Sequence, residues 1–304
     1  MIESTDNLTP FPAMTPAQRL HLDVNGYVVI ENILSAEQIK RYTEGVYAVR
    51  QQFLAAQDPP KHRANGCYVE DTARCNKCHV NLGRVIESGE ERLIDYFVHP
   101  RIVSIAEEAM GGKIRIDEAN IIVNSRDPNI DLAEFRCNFH RGGQPGFDSY
   151  IYDDLYHCTF IKALTNLTDM GPDDGGTCMI AGSHKLNCNE DDMVIAAYEE
   201  PSLIHQIEAP AGSTLIMYET TIHATGPIRS DNDRVMIIGG YSPPKHQSMG
   251  GQWSDACVQM FPESQRELLL GRPYWTWPER HRTLGMEPDQ PGVPYKARMW
   301  SVTH

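Results

Sequence analysis

The sequence predicts a mainly β protein with flanking α-helices: a jelly-roll, cupin-like core of two sheets, preceded by helices. Three observations predict it. From about residue 114 the chain becomes a series of short apolar runs: "KIRIDEANIIVN", "FRCNFH", "CTFIKALTNL", "TCMIAGSH", "IHQIEAP", "STLIMYE" and "RVMIIGGYS". Turn signals such as "GPDDGG", "PAGS" and "RSDND" punctuate them. The stretch before them carries helical spacing instead. Many short strands with Gly- and Asp-rich turns are the pattern of a double-sheet jelly roll.

The 304 residues, 41% of them hydrophobic, supply one large core. The layout is a single domain over 1–304. It has a helical part over about 15–110, a β core over about 114–245, and a Pro- and Trp-rich extension over 246–304. In the helical part, Thr15 and Pro16 mark a helix start, and Gly26 ends that helix. Tyr27–Leu34 reads as a short buried strand. Ser35 with Gln38 forms a capping box for a second helix, which reaches about Phe53. Residues 57–90 read as irregular, 91–110 as helical, and the extension as a tail packed on the core or on a second subunit.

A formal net charge of −14 argues against a nucleic-acid polymer or an anionic membrane as partner. No apolar run approaches the roughly 18 residues of a membrane span. "MIESTDNLTPFPAM" lacks the basic and apolar regions of a signal peptide. The eight cysteines therefore read as reduced thiols in a cytoplasmic protein, and the acidic balance leaves a small-molecule substrate open.

Two stretches carry the chemistry. In "FHRGGQPGFDSY", His140 stands before a glycine-rich loop as one arm of a metal site. In "STLIMYETTIHATGPIRSDNDRVMIIGGY", His223 follows one strand and Arg234 opens the next, eleven residues later, so the two are expected at facing ends of neighbouring strands. One can hold a metal while the other grips a ligand on that metal. A metal-bound 2-oxo acid with a distal carboxylate fits the pair, because guanidinium binds carboxylate through two parallel hydrogen bonds. The structural alternative pairs Arg234 with Asp231 or Asp233.

These stretches, together with "DDGGTCMIAGSHK" (Asp173–Lys185) and the opening "NGYVVIENILSAEQI", resemble the phytanoyl-CoA dioxygenase family over most of residues 15–245. The resemblance implies a double-stranded β-helix, iron(II), 2-oxoglutarate and O2. It implies His140 and His223 as metal ligands, Arg234 as the anchor of the co-substrate, and Thr225 as a hydroxyl touching that co-substrate. The chain departs from the family at one position. Where the family has His-x-Asp, this sequence has His140-Arg141-Gly142. Residues two apart on a strand share a face, so an Asp at 142 would join His140 on the metal. Glycine brings no ligand.

Two readings of Gly142 stay open. In the leading one the missing carboxylate leaves room for chloride, as in the family's halogenating relatives, and the enzyme chlorinates a C–H bond. In the other, a substitute acid restores an ordinary hydroxylase. Asp148 is the nearest, then Asp153 and Asp154. A reading of another class is a ligand-binding barrel without redox chemistry.

The remaining candidates have smaller roles. Lys162 points inward to bind the co-substrate or a substrate anion, or outward to solvent. His157 reads as core or pocket wall. His184 and Arg141 read as structural, and Arg229 as a competitor of Arg234. Cys75, Cys78 and His79 match a haem-attachment spacing, and with Cys67 and His62 nearby a zinc site is an alternative. An irregular reduced loop is the reading retained.

Overall fold

The computed structural model describes residues 13–55, 68–69, 78–152, 154–246 and 251–273. Two helices open it, α1 (Pro16–Asn25) and α2 (Ala36–Ala55), with β1 (Tyr27–Ile30) between them. The capping boxes are both formed: Gln18 N donates to Thr15 Oγ1 at 3.2 Å, and Gln38 N to Ser35 Oγ at 3.2 Å. Gly26 ends α1 with φ +83°, a conformation that favours glycine. Its carbonyl accepts from Tyr218 N at 2.9 Å and Thr221 Oγ1 at 3.1 Å, so the end of α1 is tied to the middle of the chain.

The β core follows: β2 (Tyr68–Val69), β3 (His79–Gly83), β4 (Arg115–Asn124), β5 (Ser149–Tyr152), β6 (Leu155–Cys158), β7 (Ile161–Asn166), β8 (Thr177–Ile180), β9 (Ile204–Gln206), β10 (Thr214–Tyr218), β11 (His223–Thr225) and β12 (Arg234–Ser242). Helices α3 (Glu91–Ile94) and α4 (Pro100–Met110) precede β4, and α5 (Glu190–Glu199) lies between β8 and β9. One sheet has the order β1-β10-β7-β12-β4-β3-β2, a second has β11-β8-β9, and β5 and β6 form a hairpin. This is the predicted jelly-roll class, as separate sheets rather than a closed barrel.

The period-2 alternation of the large sheet decides what faces the site. Ile216 and Tyr218 of β10, and Val235 and Ile237 of β12, join the helices in the larger core cluster. Leu215, Met217, Met236, Ile238, Leu164 and Ile122 form a second cluster with Met179 of β8, between the sheets. Each such fully buried aliphatic side chain contributes about 1.5–3 kcal/mol. By the same alternation Glu118, Lys162 and Arg234 fall on the inner face, and Glu219, one residue past β10, continues it.

Three expectations are corrected. "FRCNFH" is not a strand. Only an isolated bridge, His140 with His223, forms there. The strand at Tyr27 stops at Ile30, because Asn32 takes a positive φ of 56°. The extension is not simply extended: α6 (Asp255–Gln259) and α7 (Glu267–Leu270) form in it, and Trp253, Leu268 and Leu269 join the core. The Pro- and Trp-rich part beyond 273 lies outside the described residues, as do Cys75, Cys67, His62 and Asp153.

Candidate active site

His140 and His223 meet through a short two-way backbone bridge. His140 N donates to His223 O at 2.9 Å, and His223 N to His140 O at 2.8 Å. The rings lie 4.5 Å apart between centroids. Each ring places Nδ1 on the carbonyl two residues before it: Asn138 O at 3.0 Å for His140 and Thr221 O at 2.9 Å for His223. A carbonyl can only accept, so in each ring Nδ1 carries a proton and Nε2 is the position left for a metal. That is the tautomer a metal ligand needs, fixed by an outer hydrogen bond. Burial first, offset by the Glu219 carboxylate and reinforced by His140 and Lys162, brings the His223 pKa down to about 4. The ring is therefore neutral at pH 7.

The same ladder continues past the bridge. Gly142 N and Gly143 N both donate to Glu219 O at 3.1 Å, which sets Glu219 beside Gly142. Glu219 is 2% exposed. One oxygen, Oε1, lies 2.8 Å from Lys162 Nζ. The other, Oε2, is buried without a hydrogen-bond partner and lies 3.8 Å from His223 Nε2. Burial opposes its ionisation, but Lys162, His223 and His140 outweigh it and hold the carboxyl below its usual range.

The opening expected beside Gly142 is occupied. A Cβ placed on Gly142 would lie 2.6 Å from Glu219 Oε1 and 2.8 Å from its Cγ. Lys162 points inward and is engaged by two carboxylates, with 16% of its side chain exposed. It lies between Glu219, 2.8 Å away, and Glu118, whose Oε2 is 3.3 Å away. Burial opposes its charge, and the two carboxylates more than restore it. Gly240 lies between Lys162 and Glu118 in register, and a Cβ there would lie 2.8 Å from the Glu118 Cβ.

Asp148 is used elsewhere: it accepts from Gln144 N at 2.8 Å and closes its own loop. Asp154 is exposed in the β5–β6 turn with φ +61°. His157 is a core histidine on Ala109 O at 3.0 Å, and His184 binds Asp23 O at 3.0 Å. Arg141 reaches Leu186 O and Cys188 O, and Arg229 is exposed. His79 lies in β3, paired with Asn124.

Arg234 does not neighbour His223 within one sheet. It opens β12 in the large sheet, whereas His223 opens β11 in the small one. The two ends meet across the interior through a threonine pair. Thr225 of β11 is in register with Thr177 of β8. Thr177 Oγ1 is 3.1 Å from Arg234 Nη2, and Thr225 Oγ1 is 3.5 Å from Nη1. Arg234 is 2% exposed, its Nε has no partner, and no carboxylate pairs with it among the described residues. Asp231 pairs with Arg126, and Asp233 accepts from Tyr47 and Ser125. Burial lowers the Arg234 pKa to about 10, against the opposing influence of Cys178, so it stays charged at pH 7. A buried guanidinium without a counter-ion is expensive.

Among the described residues no group of three or more His, Cys, Asp or Glu side chains is already arranged to hold a metal ion. The two histidines and Glu219 form an open arrangement, in which His140 is the exposed member.

The family model for phytanoyl-CoA dioxygenase (PhyH) matches residues 22–236. The chain belongs to the phytanoyl-CoA dioxygenase family. It is thus an enzyme of the iron(II)/2-oxoglutarate oxygenase class. No curated protein matches it in sequence. Among solved structures, this phytanoyl-CoA dioxygenase family member is similar in fold to HygX from Streptomyces hygroscopicus with nickel and 2-oxoglutarate bound. That match has 17% identity, 80% of this chain and 94% of that one covered, and a TM-score of 0.60. It is also similar to SnoK, a non-heme alpha-ketoglutarate-dependent carbocyclase from nogalamycin biosynthesis, with 17% identity, 88% and 97% covered, and a TM-score of 0.59. AviO1 from Streptomyces viridochromogenes matches at 18% identity, with 76% and 96% covered and a TM-score of 0.56.

Sequence reasoning missed Glu219, Thr177, Glu118 and Gly240. The signal for Glu219 was the alternation Leu215, Met217, Glu219, which carries an acid onto the inner face.

Proposed function

We propose that the protein oxidises an unactivated C–H bond of a small molecule with iron(II), 2-oxoglutarate and O2, and inserts oxygen rather than chlorine. The observation that carries the reading is the pairing of two needs inside one jelly roll. Two histidines hold Nδ1 on backbone carbonyls and leave Nε2 for a metal, and a buried Arg234 lacks an anion. 2-Oxoglutarate would meet both: the histidines would hold the metal that binds its 2-oxo acid end, and Arg234 would take its far carboxylate. Thr177 and Thr225 hold that fork in place. Iron(II) with 2-oxoglutarate supplies, on reaction with O2, an oxidant able to take hydrogen from carbon. The balance is 2-oxoglutarate, O2 and R–H giving succinate, CO2 and R–OH.

Chloride is not part of this reading. The space that Gly142 leaves lies against an ionised, buried carboxylate, and like charges at that distance repel by several kcal/mol in a low-dielectric site. The donor set fits iron: two imidazoles and a carboxylate are the ligand types of non-haem iron oxygenases. A small-molecule substrate agrees with the relatives, of which HygX has been seen with hygromycin B and SnoN with nogalamycin RO.

The test is anaerobic. Iron(II) and 2-oxoglutarate are added to the protein, the charge-transfer band is recorded, and chloride is titrated in. A band that forms and ignores chloride, followed by succinate release in air, is expected. A saturable halide-specific shift would return the protein to the halogenating reading. No band and no succinate would make it a ligand-binding barrel.

A further inference from the structure

We infer that Glu219 is the carboxylate ligand of the metal centre, delivered from the turn after β10 through the space that Gly142 leaves. The inference rests on the iron-dependent reading above and deepens it. Three independent features converge on it.

The first is space. The Cβ of any residue at 142 would fall 2.6 Å from Glu219 Oε1, 2.8 Å from Cγ and 3.0 Å from Cδ. The start of a side chain at 142 and the end of the Glu219 side chain therefore compete for one volume. Gly142 does not have a positive φ, so backbone freedom is not the reason for glycine there. The second is register. The ladder that sets His140 opposite His223 also sets Gly142 and Gly143 on the Glu219 carbonyl, so the acid arrives beside the histidines by backbone pairing.

The third is the state of the carboxylate. Lys162 holds Oε1 at 2.8 Å, and Glu118 holds Lys162 from behind at 3.3 Å. Oε2 has no hydrogen bond and faces His223 Nε2 across 3.8 Å, too far for a hydrogen bond between them. A carboxylate kept only for a structural ion pair would satisfy both oxygens. This one is anchored on one side and unspent on the side of the histidines, as a metal ligand with an outer partner is. Lys162 is thus a positioning residue, and Glu219 and Gly142 are two halves of one exchange: the acid has moved strands and the glycine has made way.

The experiment measures metal binding, not turnover. Cobalt(II) absorption titrations and anaerobic iron(II)/2-oxoglutarate spectra are compared for wild type, E219Q, E219A and E219A/G142D. E219Q keeps the shape of the side chain, so it is the variant that guards against misfolding. We expect E219Q and E219A to bind metal at least about 10-fold more weakly. We expect E219A, alone among the four, to respond to chloride. The double variant should regain affinity, because an Asp at 142 then has both room and the usual His-x-Asp geometry. Wild-type metal affinity in E219Q, with a chloride-indifferent spectrum in E219A, would overturn the assignment while leaving the iron-dependent reading intact. So would a double variant no tighter than E219A. Absence of metal binding in the wild type itself would overturn both.

Discussion

Two cations lie on the inner face of the same sheet, Arg234 buried and Lys162 partly so, and their surroundings are opposite. Lys162 has two carboxylates within 3.3 Å. Arg234 has two threonine hydroxyls and no carboxylate among the described residues. A folded protein neutralises a buried charge when that charge is structural, since leaving it unpaired destabilises the fold by several kcal/mol. The difference separates a cation that completes the protein from one that awaits a ligand. It also separates the two ends of the proposed site: a negative end, where Glu219 and the histidines would hold the metal, and a positive end, where Arg234 would take an anion.

The sharpest way to break this comparison is to remove each charge in turn. Lys162→Met should destabilise the metal-free protein by about 3–5 kcal/mol, because it strands Glu118 and Glu219 as like charges in the interior. Urea unfolding reads it, and an unchanged midpoint would mean the pair is solvated after all. Arg234→Met should do the reverse. Stability should hold or rise, while 2-oxoglutarate affinity falls by about 100-fold, or roughly 2.8 kcal/mol. Calorimetry showing wild-type affinity would move the anion site elsewhere.

A smaller effect tests the threonines. Thr177→Val removes the shorter of the two bonds that aim Arg234 and should weaken 2-oxoglutarate by about 5- to 10-fold, about 1–1.4 kcal/mol. The smallest effect concerns pH. His184 is buried and His99 partly buried, and in both the loss of hydration is the main cause that lowers the pKa from 6.5 to about 4. In the unfolded chain they take up protons near pH 6.5, in the native state only near 4. Their contribution to stability is therefore complete above pH 6.5 and is lost as pH falls towards 4. The loss of stability between pH 6.5 and 4 should be shallower in His184→Gln than in wild type, and identical slopes would contradict it.

Much of this was legible in the sequence because it depends on local rules. The capping boxes at Thr15 and Ser35, the turn at Gly26 and the strand runs at 115–124 and 234–242 need only neighbouring residues. His140, His223 and Arg234 were found by motif, and the structure brings the two histidines together and joins Arg234 to Thr225. What was not legible depends on pairing across the chain. The search for a missing acid ran forward from His140 to Asp148, but the acid beside Gly142 is Glu219, brought there by a bridge between segments far apart in sequence. Lys162 could be read inward or outward from its strand alone. Its two carboxylates come from β4 and from the turn after β10, and only the sheet order puts them there.

The knot at Gly26 bears on the order of folding. Its carbonyl holds Tyr218 N and Thr221 Oγ1, so the turn that carries Glu219 and His223 hangs on the end of the first helix, with Gly26 and Thr221 195 positions apart in sequence. A Cβ at Gly26 would lie 2.4 Å from that Thr221 oxygen, so the closure admits no other residue without a shift. Closing so long a loop is entropically slow, and contacts of high sequence separation form late. The end of the molecule that carries the candidate site should therefore be the last part to become native. In a refolding experiment followed by pulsed hydrogen exchange, the amides of Tyr218 and His223 should gain protection together, after those of β7 and β12.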